Sequence, residues 1–108
     1  MNYEVIATLH FKKEYKRLLK KYPSLSADIE ELGERLQENP KLGKEVFKNC
    51  FKIRFAITSK GKGKSGGGRL ITLVKVMDNE IYLVTVYDKS ETPTVTEKRL
   101  KELLDDLK

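Results

Sequence analysis

The repeat period of the apolar residues changes once along the chain, and that change limits the fold more than any other feature. Phe11, Tyr15, Leu18, Leu19 and Tyr22 fall at i, i+4, i+7, i+8 and i+11, one stripe of an α-helix. Leu25, Ile29, Leu32 and Leu36 form a second stripe after "YPSLS", where Pro23 stops the first helix and Ser24 or Ser26 caps the next. A few residues join the two, so an antiparallel hairpin of helices is expected. Past Gly43 the period becomes two. Phe51, Ile53, Phe55 and Ile57 alternate with Lys52, Arg54, Ala56 and Thr58, giving a strand with one apolar and one partly cationic face. "RLITLVKVM" and "IYLVTVY" are β-branched and aromatic runs separated by "DNE", which reads as a hairpin turn. Their near-continuous apolar character marks central strands covered on both faces.

Tyr3 to Leu9 alternates weakly, as a short strand. Leu100, Leu103, Leu104 and Leu107 close the chain as an amphipathic helix behind Pro93 and a capping box from Thr94 to Glu97. The expected fold is α+β. An N-terminal strand and a helical hairpin pack on an antiparallel β-sheet, followed by a C-terminal helix, all in one domain spanning 1–108.

Charge narrows the partners. The 22 basic and 16 acidic residues leave a net charge of +6, which favours a polyanion. One cysteine, Cys50, permits neither an internal disulfide nor a cysteine-built zinc site, and the lone His10 builds no metal cluster, so no metal or cofactor is expected. Cys50 beside Phe51 reads as a small buried hydrophobe, and His10 as a capping or packing residue near the end of the first strand. No apolar run approaches the ~20 residues of a membrane span, and "MNYEVIATLHF" lacks the pattern of a secretion signal. A cytoplasmic protein without a membrane partner is the expectation.

The cations are unevenly placed. Every charged residue between Phe47 and Leu73 is basic, and the centre of that window is "KGKGKSGGGR", Lys60 to Arg69. This is not a nucleotide-binding P-loop: the first glycine of that motif would fall at Thr58, and a strand follows where a helix is needed. The loop instead joins the strand bearing Lys52 and Arg54 to the strand opened by Arg69, so cations converge at one end of the sheet, as a polyphosphate backbone requires. Lys13, Lys16, Arg17 and Lys20 lie off the apolar stripe of the first helix. They form a solvated face, or a contact for nucleic acid or an acidic partner protein.

Three segments together resemble a known family: "NPKLG" at Asn39–Gly43, "FKIRFAITSKGKGKSGGGRLITLVKV" at Phe51–Val76 and "IYLVTVYDKSE" at Ile81–Glu91. They are similar to the HigB-like branch of the RelE/ParE toxin superfamily, in which a Lys–Ile/Leu–Arg strand runs into a Gly/Lys/Arg loop and a later strand ends in Y-x-K-x-E. The resemblance implies a bacterial type II toxin that cuts mRNA in the ribosomal A site, in contact with 16S rRNA. It also implies a cognate antitoxin, the toxin being a monomer when free and heteromeric when neutralised. Carried over by position, the catalytic set is Lys52, Arg54, Lys64, Arg69, Tyr87 and Lys89, with Lys60, Lys62, Lys13 and Lys16 as RNA-binding residues. Some relatives use a histidine or a further tyrosine near the end of the sheet. Here Thr96 stands in that region and no histidine follows position 10, so the general base is left open.

The implied chemistry needs no metal. RNA cut through its own 2′-hydroxyl requires a base at that hydroxyl, cations at the phosphate and an acid for the leaving 5′-oxygen. Arg54 and Arg69 suit the phosphate, because guanidinium stays charged and binds two oxygens. Lysines crowded by like charges release protons more readily, which makes Lys52, Lys64 and Lys89 the candidates for proton transfer. Tyr87 stacks on a base or orients a proton. Two other readings remain: a ParE-like, non-enzymatic toxin that inhibits DNA gyrase, and a non-catalytic RNA-binding module.

Overall fold

The computed structural model describes residues 3–107; residues 1, 2 and 108, the ends of the expected domain, lie outside the described residues. Eight elements follow in order: β1 (Glu4–Ala7), α1 (Leu9–Lys21), α2 (Leu25–Glu38), β2 (Lys44–Phe47), β3 (Cys50–Phe55), β4 (Gly68–Lys75), β5 (Glu80–Asp88) and α3 (Glu97–Asp105). The fold is α+β, as the periodicities require.

Local chemistry sets the helix ends. Thr8 caps α1, its Oγ1 accepting from the Phe11 N–H at 3.1 Å. The Tyr22 N–H closes the helix on Leu18 O before Pro23 ends it. Ser24 stands at the start of α2, but its hydroxyl turns away to Asp28 and Ser59. The cap of α3 is Thr96, accepting from the Arg99 N–H, two residues beyond the expected box at Thr94. Val95, just before the cap, packs against the apolar cluster under α3.

The strands form one five-stranded sheet in the order β1-β5-β4-β3-β2. The antiparallel meander through β3, β4 and β5 is the expected one. Two features extend it. Strand β1 pairs with β5 in parallel, Glu4 beside Glu80 through Ala7 beside Leu83, so the sheet is mixed. A further strand, β2, joins the far edge, returning through a turn in which Asn49 takes φ 61° and donates its N–H to Glu45 Oε2. The sequence "KEVF" carries no apolar alternation to announce it.

Both faces of β4 and β5 are covered. Phe11, Leu18, Leu25, Leu32 and Leu36 of the hairpin pack on Ile53, Phe55, Leu70, Ile81 and Val86. Leu100 and Leu103 of α3 pack on Cys50, Ile71, Val84 and Tyr87 across the sheet. A bulge opposite Ile71 and Thr72 inserts Val84 as an extra residue in β5. The second face therefore gains both Val84 and Thr85. No helix is long and apolar enough to cross a membrane among the described residues.

Candidate active site

Register builds the site. Arg54 pairs with Arg69 across β3 and β4, and Arg69 pairs with Tyr87 across β4 and β5. Residues directly opposite one another in a sheet share a face, so these three form one lateral row about 10 Å wide, two strand spacings. Alternation puts Lys52 on the same face, two residues from Arg54. Lys52 stands beside Lys44 of β2 and in line with Ile71 and Thr85. Lys44 belongs to this face but could not be found from sequence, because nothing there marks β2 as a strand.

Arg69 is the centre of the row and is only 4 % exposed. Its Nη1 donates to the carbonyls of Lys64 and Gly68, each at 2.9 Å, so the guanidinium ties down the glycine-rich loop. Burial, and next the like charge of Arg54, pull its pKa below the usual arginine range, with Tyr87 opposing. Neither arginine forms an ion pair with a carboxylate among the described residues. An anion between them would relieve that crowding. Burial raises the pKa of Tyr87 against the pull of Arg69 and the Val95 backbone, so the phenol keeps its proton.

The loop is shaped by packing. A Cβ on Gly67 would collide with the carbonyl of Phe55 and lie 2.7 Å from that of Gly63, and one on Gly68 would enter the Phe55 ring. These two glycines are required for the close approach of the loop to β3, whatever the loop binds.

The remaining cations divide. Lys62 is exposed in the loop, and Lys89 is exposed in the turn after β5, where its N–H donates to Gly67 O. Lys64 meets the row through its carbonyl, while the residue also lines a separate cavity of about 150 Å³ beside Asp28, Glu31 and Arg35. Lys60 is directed to the opposite face. Its Nζ donates to Asp88 Oδ1 at 2.6 Å and to Ser90 Oγ at 2.9 Å, and the side chain is almost wholly buried. A lysine held this way is a strut, a role that sequence alone does not separate from RNA binding. Lys13 and Lys16 are exposed on α1.

Asp88 is fully buried and also accepts from Tyr22 Oη at 2.6 Å and from the Ser90 N–H and hydroxyl. Burial alone would raise its pKa. The bonds from Lys60, Tyr22 and Ser90 outweigh that and hold it well below the usual carboxylate range. Burial pushes the Cys50 thiol up to about 11, with Glu45 adding to it, which suits an inert core residue. No group of three or more His, Cys, Asp or Glu side chains able to hold a metal ion occurs among the described residues.

His10 does not cap. It sits in the first turn of α1 with Nε2 3.0 Å from Thr85 Oγ1. Both residues line a cleft that also reaches Tyr87.

One face of the α+β sheet thus carries a lateral pair of arginines with no carboxylate ion-pair partner among the described residues. Solved structures of the E. coli toxin RelE are among those that share this fold. A mutant of the E. coli toxin RelE in the free state, with two arginines changed to alanine, matches with a TM-score of 0.66 at 14 % identity over 100 % of both chains. The isolated E. coli RelE toxin matches at 0.55 and 13 % identity, over 98 % of this chain and 99 % of that one. The fold is therefore RelE-like. No protein-family model matches the chain.

Proposed function

We propose that this chain is the toxin of a type II toxin–antitoxin system, of the HigB-like kind, and that it cleaves mRNA on the ribosome. The row Arg54–Arg69–Tyr87 carries this reading. It sets two guanidiniums and a protonated phenol side by side on one face, without a carboxylate partner. The RelE-like fold supports it, since the E. coli RelE structures that share it are of a toxin.

In the proposed reaction the RNA 2′-oxygen attacks the adjacent phosphorus as the bond to the 5′-oxygen breaks. The products are a 2′,3′-cyclic phosphate and a 5′-hydroxyl. Arg54 and Arg69 neutralise charge building on the non-bridging oxygens, and their like-charge repulsion is relieved most where that charge is greatest. Tyr87 gives its proton to the leaving oxygen. Its raised pKa fits the acid role and disfavours the base role. The base is drawn from Lys52 and Lys89, which the ribosome-bound substrate would meet on either side of the row. Lys62 and Lys44 add phosphate contacts. By the same reading the protein acts in the cytoplasm, with contacts to 16S rRNA, and a cognate antitoxin neutralises it.

Cell-free translation with primer extension on the message tests this. The wild-type protein is expected to stop synthesis and to leave cuts at the A-site codon, and Arg54→Ala to lose most of both. Inhibited DNA supercoiling with intact mRNA moves the chain to the gyrase reading. Ribosome binding without cuts moves it to the non-catalytic one.

A further inference from the structure

Strand β1 pairs only with the first half of β5, through Leu83. The edge of β5 from Val84 onward is left for the start of α1, where Thr8 Oγ1 donates to Leu83 O and His10 meets Thr85. Between this edge, the start of α1, the segment 92–96 and α3 lies a cleft of about 340 Å³. That is within the range of about 300–1,000 Å³ typical of small-ligand sites. Its walls are mixed. Val86, Val95 and Leu103 are apolar, while His10, Thr85, Tyr87, Glu14 and Arg99 bring an imidazole, two hydroxyls, a carboxylate and a guanidinium.

The position of the cleft matters as much as its lining. Tyr87 ends the Arg54–Arg69 row, and Thr85 ends the Lys44–Lys52 line. The Arg54–Arg69 row therefore ends at the Tyr87 wall of the cleft, whereas buried Ile71 separates Lys52 from Thr85. One strand spacing of about 5 Å separates Arg69 from Tyr87, within the reach of a single nucleotide. The cleft itself holds donors, acceptors and an aromatic wall, the combination that reads a splayed-out base. Burial, and then Arg99 and Lys13, hold His10 towards its neutral form against Glu14 and Asp106. A neutral imidazole presents one donor and one acceptor.

We propose that this cleft is a nucleobase subsite, which takes the base next to a phosphate held on the Arg54–Arg69 row. The proposal rests on the RNA-cleaving reading for its biological use, but binding of a base here is a separate property. Burial of a base against Tyr87 and the Leu103 side chain supplies affinity, and His10, Thr85 and Arg99 supply choice among bases.

The experiment is an NMR titration of the whole protein, without ribosomes. The probes are the four nucleoside 5′-monophosphates, with ribose 5-phosphate as the probe lacking a base. At least one nucleotide is expected to shift the His10 ring and the Thr85 and Val95 amides saturably, with at least tenfold tighter binding than ribose 5-phosphate. Arg99→Ala, a change at an exposed side chain, is expected to weaken that binding about tenfold; Thr85→Val gives a second, nearly isosteric check. Equal binding of ribose 5-phosphate, shifts confined to residues 61–67, or no shift at the cleft overturns the subsite. Base binding by a protein that cuts no RNA keeps the subsite and removes the nuclease reading. Cutting without base binding does the reverse.

Discussion

Tyr87 and Asp88 are consecutive, yet they face opposite sides of the sheet and belong to opposite kinds of charge site. On the hairpin side Asp88 is closed off, with Lys60, Tyr22 and Ser90 satisfying its carboxylate. On the other side Tyr87 adjoins Arg69, which adjoins Arg54, and no carboxylate pairs with either arginine among the described residues. The same loop supplies Lys60 to the first site and the Lys64 carbonyl to the second. A compensated buried cluster is costly to break, whereas an uncompensated one costs stability as it stands and is relieved when an external anion completes it. The contrast separates residues that hold the site from residues that act in it.

The largest effect expected is on the closed side. Asp88→Ala leaves the Lys60 ammonium buried without its counter-charge, with only the Ser90 hydroxyl as acceptor, and about 3–5 kcal/mol of stability should go. A urea unfolding curve checks this; a loss near zero would erase the distinction between the two sides. On the uncompensated side the effects should reverse. Arg54→Ala removes an exposed cation, so the melting temperature should hold to within about 0.5 kcal/mol of stability. Cleavage should fall about 10²-fold or more, as for loss of one transition-state donor. Equal losses of stability and activity there would mean that Arg54 is structural.

Gly67→Ala tests the tie between the sides. The added methyl meets backbone of Phe55 and Gly63, and about 1–3 kcal/mol should be lost as the loop moves. Activity should drop further than stability explains, because Arg69 is anchored on that loop.

Acidification gives the smallest effects, with a sign for each side. The depressed pKa of Asp88 means that its contribution is complete above the unfolded carboxylate value and is lost only as pH falls towards the much lower folded value. His10 is also depressed, so its protonation favours the unfolded chain, and stability should decline as pH falls below about 6.5. Thermal melts at pH 7.5 and 5.5 check this, with His10→Gln expected to flatten the difference.

Much of the scaffold was legible because apolar periodicity reports burial directly. The stripes at Phe11–Tyr22 and Leu25–Leu36 and the two buried strand runs are the core that forms. What stayed hidden depended on partners distant in sequence. "KEVF" is a strand only because β3 offers an edge, and β1 pairs in parallel with β5, 76 positions later, which no alternation of its own specifies. For the site, alternation correctly put Lys52 and Arg54 on one face. It could not show that Arg69 and Tyr87 complete that row, since register is a property of pairs. Nor could composition tell Lys60, which is buried against Asp88, from Lys62, which is exposed. His10 packs near the end of the first strand, as expected, but its partner was not visible. A lone histidine has no sequence partner, and only the fold brings Thr85 and Tyr87 to it.

The most direct test is end-group analysis of a ribosome-bound message treated with wild-type protein and with Arg54→Ala. Cuts carrying 2′,3′-cyclic phosphate and 5′-hydroxyl ends, about 10²-fold fewer with the variant at unchanged stability, are the predicted result. An uncut message with wild type, or equal cutting by Arg54→Ala, would contradict the claim that the uncompensated cationic row is the catalytic surface.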